Sequence, residues 1–296
     1  MYSSLNFLLE NKTIMTEKLN KILKIITDNF LALWLLVVVT LFLAFTAYQN
    51  SLANFVWQKY RSPNLALLIN RSDADLAMFV GNYYFNGVMG SREYNPDISQ
   101  KAYEKAISIN PKILWGHYQL ARIYFIKGNF DNATQEINKE LEANPENLRS
   151  LYVRGLIFGY RGNLVQAEAD FRRFIEWAPK EWAGYNDLAL ILSKQGQYQE
   201  AEKTINLALK EALDAFKNPW LWNALGVAEL NLKKYSAAIN SFKKAGTLTE
   251  KLTVADWIKS YPGNDPGTAE AGLGAFKNAI KENLKRSERV YNSKKY

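Results

Sequence analysis

Cysteine is absent from this 296-residue chain, and His117 is its one histidine. The first absence excludes disulfide frameworks, thiolate zinc sites, iron–sulfur clusters and cysteine nucleophiles. The second leaves nothing for a histidine-based metal site and little for a Ser-His-Asp triad. HExxH, GxSxG and phosphate-loop patterns are missing, and Gly272-Leu-Gly274 falls inside a predicted helix rather than after a strand. Asp73 and Asp75 sit near a predicted helix start, where carboxylates suit the helix dipole, and no carboxylate pair stands out as catalytic. No enzyme activity, metal or cofactor is expected.

Apolar side chains are plentiful: 48% of residues are hydrophobic and 14% aromatic, too many for a disordered chain. The formal charge of +8 is concentrated at the end. Lys277, Lys281, Lys285, Arg286, Arg289, Lys294 and Lys295 face only Glu282 and Glu288 there. This basic helix is a candidate contact for anionic lipid or an anionic envelope polymer, although a solvated helix end is the plainer reading. No nucleic-acid partner is expected.

Between Asp28 and Lys59 no residue is charged. Residues 30–48 read FLALWLLVVVTLFLAFTAY, interrupted only by Thr40 and Thr46. As a helix this run spans roughly 28 Å, close to the hydrocarbon core of a bilayer. Ser51-Leu52-Ala53 has the small-x-small form of a cleavage site, but the run is longer than a signal core and its leader is long, which favours a retained anchor. Lys12, Lys18, Lys21 and Lys24 precede the span, against Lys59 and Arg61 just after it. That bias places the N-terminus in the cytoplasm and the rest on the outer side of a plasma (inner) membrane. Leu19, Ile22, Leu23 and Ile26 share one face of the leader, with lysines roughly opposite, a pattern that suits either a surface-lying helix or a plain extension of the span.

Past this segment the chain repeats itself every 34 residues. Pro111, Pro145 and Pro179 keep that step, as do Gly128, Gly162 and Gly196, and Tyr103, Ile137, Phe171 and Ile205. The period predicts helix–turn–helix units stacked as a solenoid. Small residues at Gly81, Ala121, Gly155, Ala189 and Gly226 let paired helices approach, the glycines supply left-handed turns, and each proline closes a second helix. His117 shares a column with Leu151, Tyr185 and Trp222, so it reads as a packing residue.

These columns resemble the tetratricopeptide-repeat family, most clearly over residues 114–147. The first unit, 74–111, carries about six extra residues around 88–97. The last, 219–250, follows a step of 37 and has Glu229 in the aromatic column and Lys233 in the glycine column. The expected architecture is all-α: a leader over 1–29, a transmembrane helix over 30–48, a helical connector over 49–73, about five repeats over 74–250, and a cap with a basic helix over 251–296. A short helix over 251–260, a turn over 261–266 and a closing helix from 269 to about 289 complete it.

The resemblance implies a concave face, lined by the first helices, that receives a partner's peptide or helix. Carried onto this chain, the groove comprises Trp115, Tyr118, Arg122, Phe125, Arg149, Tyr152, Tyr160, Asn186, Lys194, Trp220 and Asn223. The lysine-and-asparagine clamp that some members use for a terminal carboxylate is not matched, because tyrosines and asparagines occupy that row. Packing against neighbouring helices or the terminal segments is the competing role for these aromatics. The expected function is a membrane-anchored scaffold or adaptor in envelope assembly or secretion. An accessory subunit of glycan or envelope-polymer synthesis, and a cytosol-facing organelle import receptor, are the alternatives.

Overall fold

The computed structural model describes residues 2–87, 93–260 and 265–294, with side chains from residue 15 onward except at 86 and 87. It divides into one unit up to Asp73 and a second from Ala74. All regular structure among the described residues is helical.

The first unit is built on α1 (Tyr2–Tyr60), 59 residues without a glycine or proline. One helix thus runs through leader, apolar run and the start of the connector. From Met15 to Ala47 every side chain is exposed, including Leu19, Ile22, Leu23 and Ile26. Thr40 and Thr46, the interruptions in the run, donate their hydroxyls to Leu36 O (2.7 Å) and Leu43 O (2.9 Å), so the helix satisfies its own polar groups. This is the one helix among the described residues long and apolar enough to cross a membrane. It stops where Arg61 turns left-handed (φ +48) before Ser62-Pro63, and Pro63 then opens α2 (Pro63–Ile69).

The second unit is a row of helical hairpins: α3 (Ala74–Asn82) with α4 (Pro96–Ile109), and α5 (Gly116–Ile126) with α6 (Phe130–Ala143). There follow α7 (Leu148–Arg161) with α8 (Leu164–Trp177), α9 (Trp182–Lys194) with α10 (Tyr198–Glu211), and α11 (Pro219–Asn231) with α12 (Tyr235–Thr249). A π-turn, Tyr83–Gly87, extends α3; of the extra residues expected around 88–97, those at 88–92 lie outside the described residues and Pro96 already opens α4. Asparagine starts four of these helices: Asn95, Asn129, Asn147 and Asn218 each accept backbone N–H groups of the first turn. The second helices α4, α6 and α8 stop two residues before Pro111, Pro145 and Pro179. Proline restricts the residue ahead of it to extended backbone.

Within each hairpin the contact pairs a small residue with a large one, and the sizes match. Glycine meets an aromatic: Gly81 faces Tyr103, Gly155 faces Phe171 and Gly226 faces Phe242. Alanine shares a core with isoleucine, as Ala121 does with Ile137 and Ala189 with Ile205. A methyl group at Gly155 would sit 2.9 Å from Phe171 Cε1, and one at Gly226 would sit 2.7 Å from Phe242 Cε1. Arg154 of α7 adds a bidentate ion pair to Asp170 of α8, at 2.8 and 2.7 Å.

Gly128, Gly162 and Gly196 turn the hairpins at φ +71, +83 and +78. An added methyl would meet nothing within 4 Å at any of them, so conformation rather than space selects glycine there. Lys233 occupies the same place in the fifth hairpin at φ +62. Since a side chain in this region costs about 1 kcal/mol or more, Lys233→Gly is expected to raise stability by about 1 kcal/mol, read as a higher denaturation midpoint. The longer step before this hairpin is taken up by a short 3-10 turn, Ala215–Lys217, which buries Ala215 in the core.

Glu229, in the aromatic column, is buried beside Ser241, whose hydroxyl donates to it at 2.7 Å. Burial pushes its carboxyl above the usual carboxylate range, the Glu202 charge adds to this, and the Ser241 bond and Lys234 oppose it. The folded chain therefore holds this proton more tightly than the unfolded one. The associated stability is complete below the unfolded value near 4.5 and is lost as pH rises through the folded value. Glu229→Gln should keep the Ser241 partner and escape that loss. Its advantage in melting temperature over the parent should grow as pH is raised from about 4.5 to neutrality.

The end of the unit comprises α13 (Val254–Ser260), a 3-10 turn (Pro266–Thr268) and α14 (Ala269–Ser293). The expected turn over 261–266 falls partly outside the described residues, at 261–264. The closing helix runs to Ser293 and packs against α12, burying Leu273 and Ile280. Its basic side chains Lys281, Lys285, Arg286 and Arg289 keep contact with solvent.

Candidate functional site

Two cavities open among the first helices of the hairpins. The larger, about 1330 Å³, is lined by Trp115, Tyr118, Arg122, Arg149 and Tyr152 together with Asp75, Phe79, Gln119 and Glu181. The smaller, about 400 Å³, is lined by Phe125, Tyr160, Asn186, Trp220 and Asn223 with Leu190, Trp257 and Phe276. Lys194 is exposed and lines neither. Ten of the eleven expected groove residues thus divide between two neighbouring hollows.

They do not all present themselves equally. Tyr118, Tyr152, Asn186 and Trp220 are buried, and Tyr152 packs against Phe171 and Phe174 while its hydroxyl donates to the Asp187 carboxylate. Their faces line the cavities, yet their bulk belongs to the core. Trp115, Arg122, Phe125 and Asn223 are half-buried; Arg149 and Tyr160 are exposed. Tyr160 stands over Phe125 edge to face, ring centres 5.2 Å apart.

Trp115 is the most unusual member. It precedes α5 with left-handed backbone, φ +68, an uncommon conformation for so bulky a residue. The chain can take this path because Gly116 follows, where an added methyl would strike Ile113 at 2.7 Å. The indole meets Tyr118 at 5.3 Å, edge to face, and the Arg149 guanidinium lies 6.0 Å from its centre. Deeper in, the Arg122 guanidinium lies 4.7 Å from the Phe85 ring and donates to Gln119 Oε1 at 2.8 Å. Burial lowers the Arg122 pKa, and the surrounding Tyr118, Tyr103 and Tyr94 oppose that. Burial likewise raises the hydroxyls of Tyr118 and Tyr103.

Lys112, Arg149 and Lys259 line this larger cavity without an ion pair among the described residues, facing the carboxylates Asp75 and Glu181. Such a surface of aromatic faces and separated cations suits recognition of another chain. No cluster with metal-ligand character occurs among the described residues. His117 lies outside both cavities, with Nδ1 2.6 Å from Glu136 Oε2, and joins α5 to α6. Burial alone would raise the Glu136 carboxyl, but hydrogen bonds from His117 and Lys139 outweigh it and hold it low.

A row of hairpins offering a cavitied inner face defines a helical-repeat interaction scaffold. The tetratricopeptide-repeat family is matched over residues 102–135 and 171–203, and by a second description of the same repeat over 221–251. The chain carries tetratricopeptide repeats over these segments. Among solved structures, YrrB, described as a TPR protein with an unusual peptide-binding site, is 17% identical with a TM-score of 0.50, over 64% of this chain and 93% of that one. A tetratricopeptide repeat protein from Parabacteroides merdae is 19% identical with a TM-score of 0.50, covering 82% of this chain and 84% of that chain. MamA from Desulfovibrio magneticus is 16% identical with a TM-score of 0.53, over 60% and 95% respectively. These likenesses establish the fold. No curated protein sequence matches the chain.

Proposed function

We propose that this protein is a non-catalytic adaptor, held in a plasma membrane by residues 30–48, that captures a peptide or helix of another protein in the groove of its repeats. The observation that carries the reading is Trp115, kept in a left-handed backbone at the cavity edge beside Arg149. A strained, half-exposed aromatic is costly to the fold, and binding sites are where such cost is tolerated. The peptide-binding site named for YrrB, a protein of the same fold, agrees with this role. The all-round exposure of the apolar run supports the anchor, and the lysines before it support an outward-facing repeat domain.

The test combines Trp115→Gly with Arg149→Glu in the full-length chain. Glycine suits φ +68, which offsets part of the packing lost with the half-buried indole, and the melting temperature, measured alongside, should stay well above the assay temperature. A partner crosslinked to the parent in intact membranes should be lost, by about tenfold or more. Undiminished capture by the folded variant would remove this face from the function. Protease added to the outer side should digest residues beyond 60; complete protection would reverse the proposed orientation.

A further inference from the structure

The concave side is not empty of protein. After the last hairpin comes α13, which packs on α14 and whose residues line both cavities among the first helices. Trp257 is set against Trp220 and Phe276, ring centres 6.1 and 5.7 Å apart. Trp220 itself stacks on Phe276 at 5.4 Å and 13°, and on Trp182 at 5.2 Å and 26°. Gly272 makes room for the indole, since a methyl there would stand 2.9 Å from Trp257 Nε1. The next three residues, Ile258, Lys259 and Ser260, line the same cavity as Asp75 and Trp115 of the first two hairpins. Beyond the segment, the Asp265 carboxylate acts on the Tyr94 hydroxyl of the first hairpin, whose pKa is raised by burial and then by that charge.

This strap is lightly held. None of the seven residues of α13 is buried, and Trp257 is only half-buried, in contrast to every hairpin helix around it. An element with so little buried surface opens at a small fraction of the global unfolding cost. Its sequence pattern, an aromatic anchor on one turn of helix, is also what a partner would bring to a groove of this kind.

We propose that Val254–Ser260 is an internal occupant of the groove, and that a partner segment carrying an aromatic anchor on a short helix competes with it for the place against Trp220 and Phe276. The partner clause rests on the groove-binding reading above; the occupancy does not. A tethered segment competes at high effective concentration, so an incoming ligand binds only to the fraction of molecules in which the strap has left.

The probe is a fluorescein-labelled peptide with the sequence of residues 251–260, titrated into the full-length protein in detergent micelles. Trp257→Ala, which removes the occupant's anchor from a helix that buries nothing, should bind the peptide at least about tenfold more tightly than the parent does. The same peptide with alanine in place of its tryptophan should not bind. Equal binding to parent and variant, or binding to neither, would overturn the proposal. Independently, Gly272→Ala should expel the indole, and amide exchange across α13 should rise about tenfold or more while α11 and α12 keep theirs. Unchanged exchange in α13 would equally overturn it. If these results hold while capture survives Trp115→Gly/Arg149→Glu, the adaptor reading fails and the internal occupancy stands.

Discussion

Replacing Gly155 by alanine is expected to destabilise the repeat array by about 1–3 kcal/mol, and by leucine considerably more. In an isolated helix the alanine change would be favourable, so the sign of the effect reports the packing. The added carbon would lie 2.9, 3.0 and 3.2 Å from three atoms of the buried Phe171 ring, which is enclosed and cannot swing aside. Because α7 and α8 stand in the middle of the row, forcing them apart also weakens both neighbouring interfaces. The second and fourth hairpins indicate the remedy, with alanine opposite isoleucine. Gly155→Ala combined with Phe171→Ile should be more stable than Gly155→Ala alone, with a coupling energy of at least about 1 kcal/mol in a double-mutant cycle. Strict additivity, measured by thermal denaturation of the full chain in detergent, would show that the two residues do not meet.

Tyr152→Ala should cost about 3–5 kcal/mol, because it removes a ring packed 5.6 Å from Phe171 and 5.1 Å from Phe174. It also withdraws the hydroxyl that donates to Asp187, a buried carboxylate that retains Asn186 Nδ2 at 3.0 Å. Tyr152→Phe isolates this second contribution and should cost about 1–3 kcal/mol. Urea titration of both variants separates packing from hydrogen bonding. A Tyr152→Ala protein as stable as the parent would place the ring in the groove alone. The size of the expected loss is why partner capture is better probed at Trp115 and Arg149.

The repeat columns are legible in the sequence because one physical requirement recurs from hairpin to hairpin. The turn glycines, the small residues opposite large ones and the stop before each proline all return at a constant step. Requirements met only once leave no such trace. Trp257 stands outside the repeat, in a short polar helix, and nothing in its neighbours signals that it reaches back to Trp220. Gly272 gains its meaning only from that indole. The left-handed backbone of Trp115 is equally silent, marked only by the glycine that follows. Tyr118 and Tyr152 show a different limit. Periodicity assigns them to the inner face of their helices, but neighbouring hairpins crowd that face, so one residue both lines a hollow and fills the core. Glu229 is a local exception whose reason, the Ser241 hydroxyl, lies on the opposite helix.

The matched sizes inside each hairpin have a consequence for how such a chain can be rearranged. Cutting and rejoining after α6 transfers Gly155 together with the Phe171 it admits, whereas a cut after α8 parts Gly184 from Phe174, whose ring a methyl at Gly184 would meet at 2.6 Å. A junction placed at Gly162, between α7 and α8, parts Gly155 from Phe171. Joined to an isoleucine-bearing second helix, the Gly155 helix would face a void. Joined to the Phe171 helix, an alanine-bearing first helix would collide. Shuffling of this array should therefore tolerate a breakpoint after α6 and reject one at Gly162 or after α8, so that the third and fourth hairpins move as one unit of exchange.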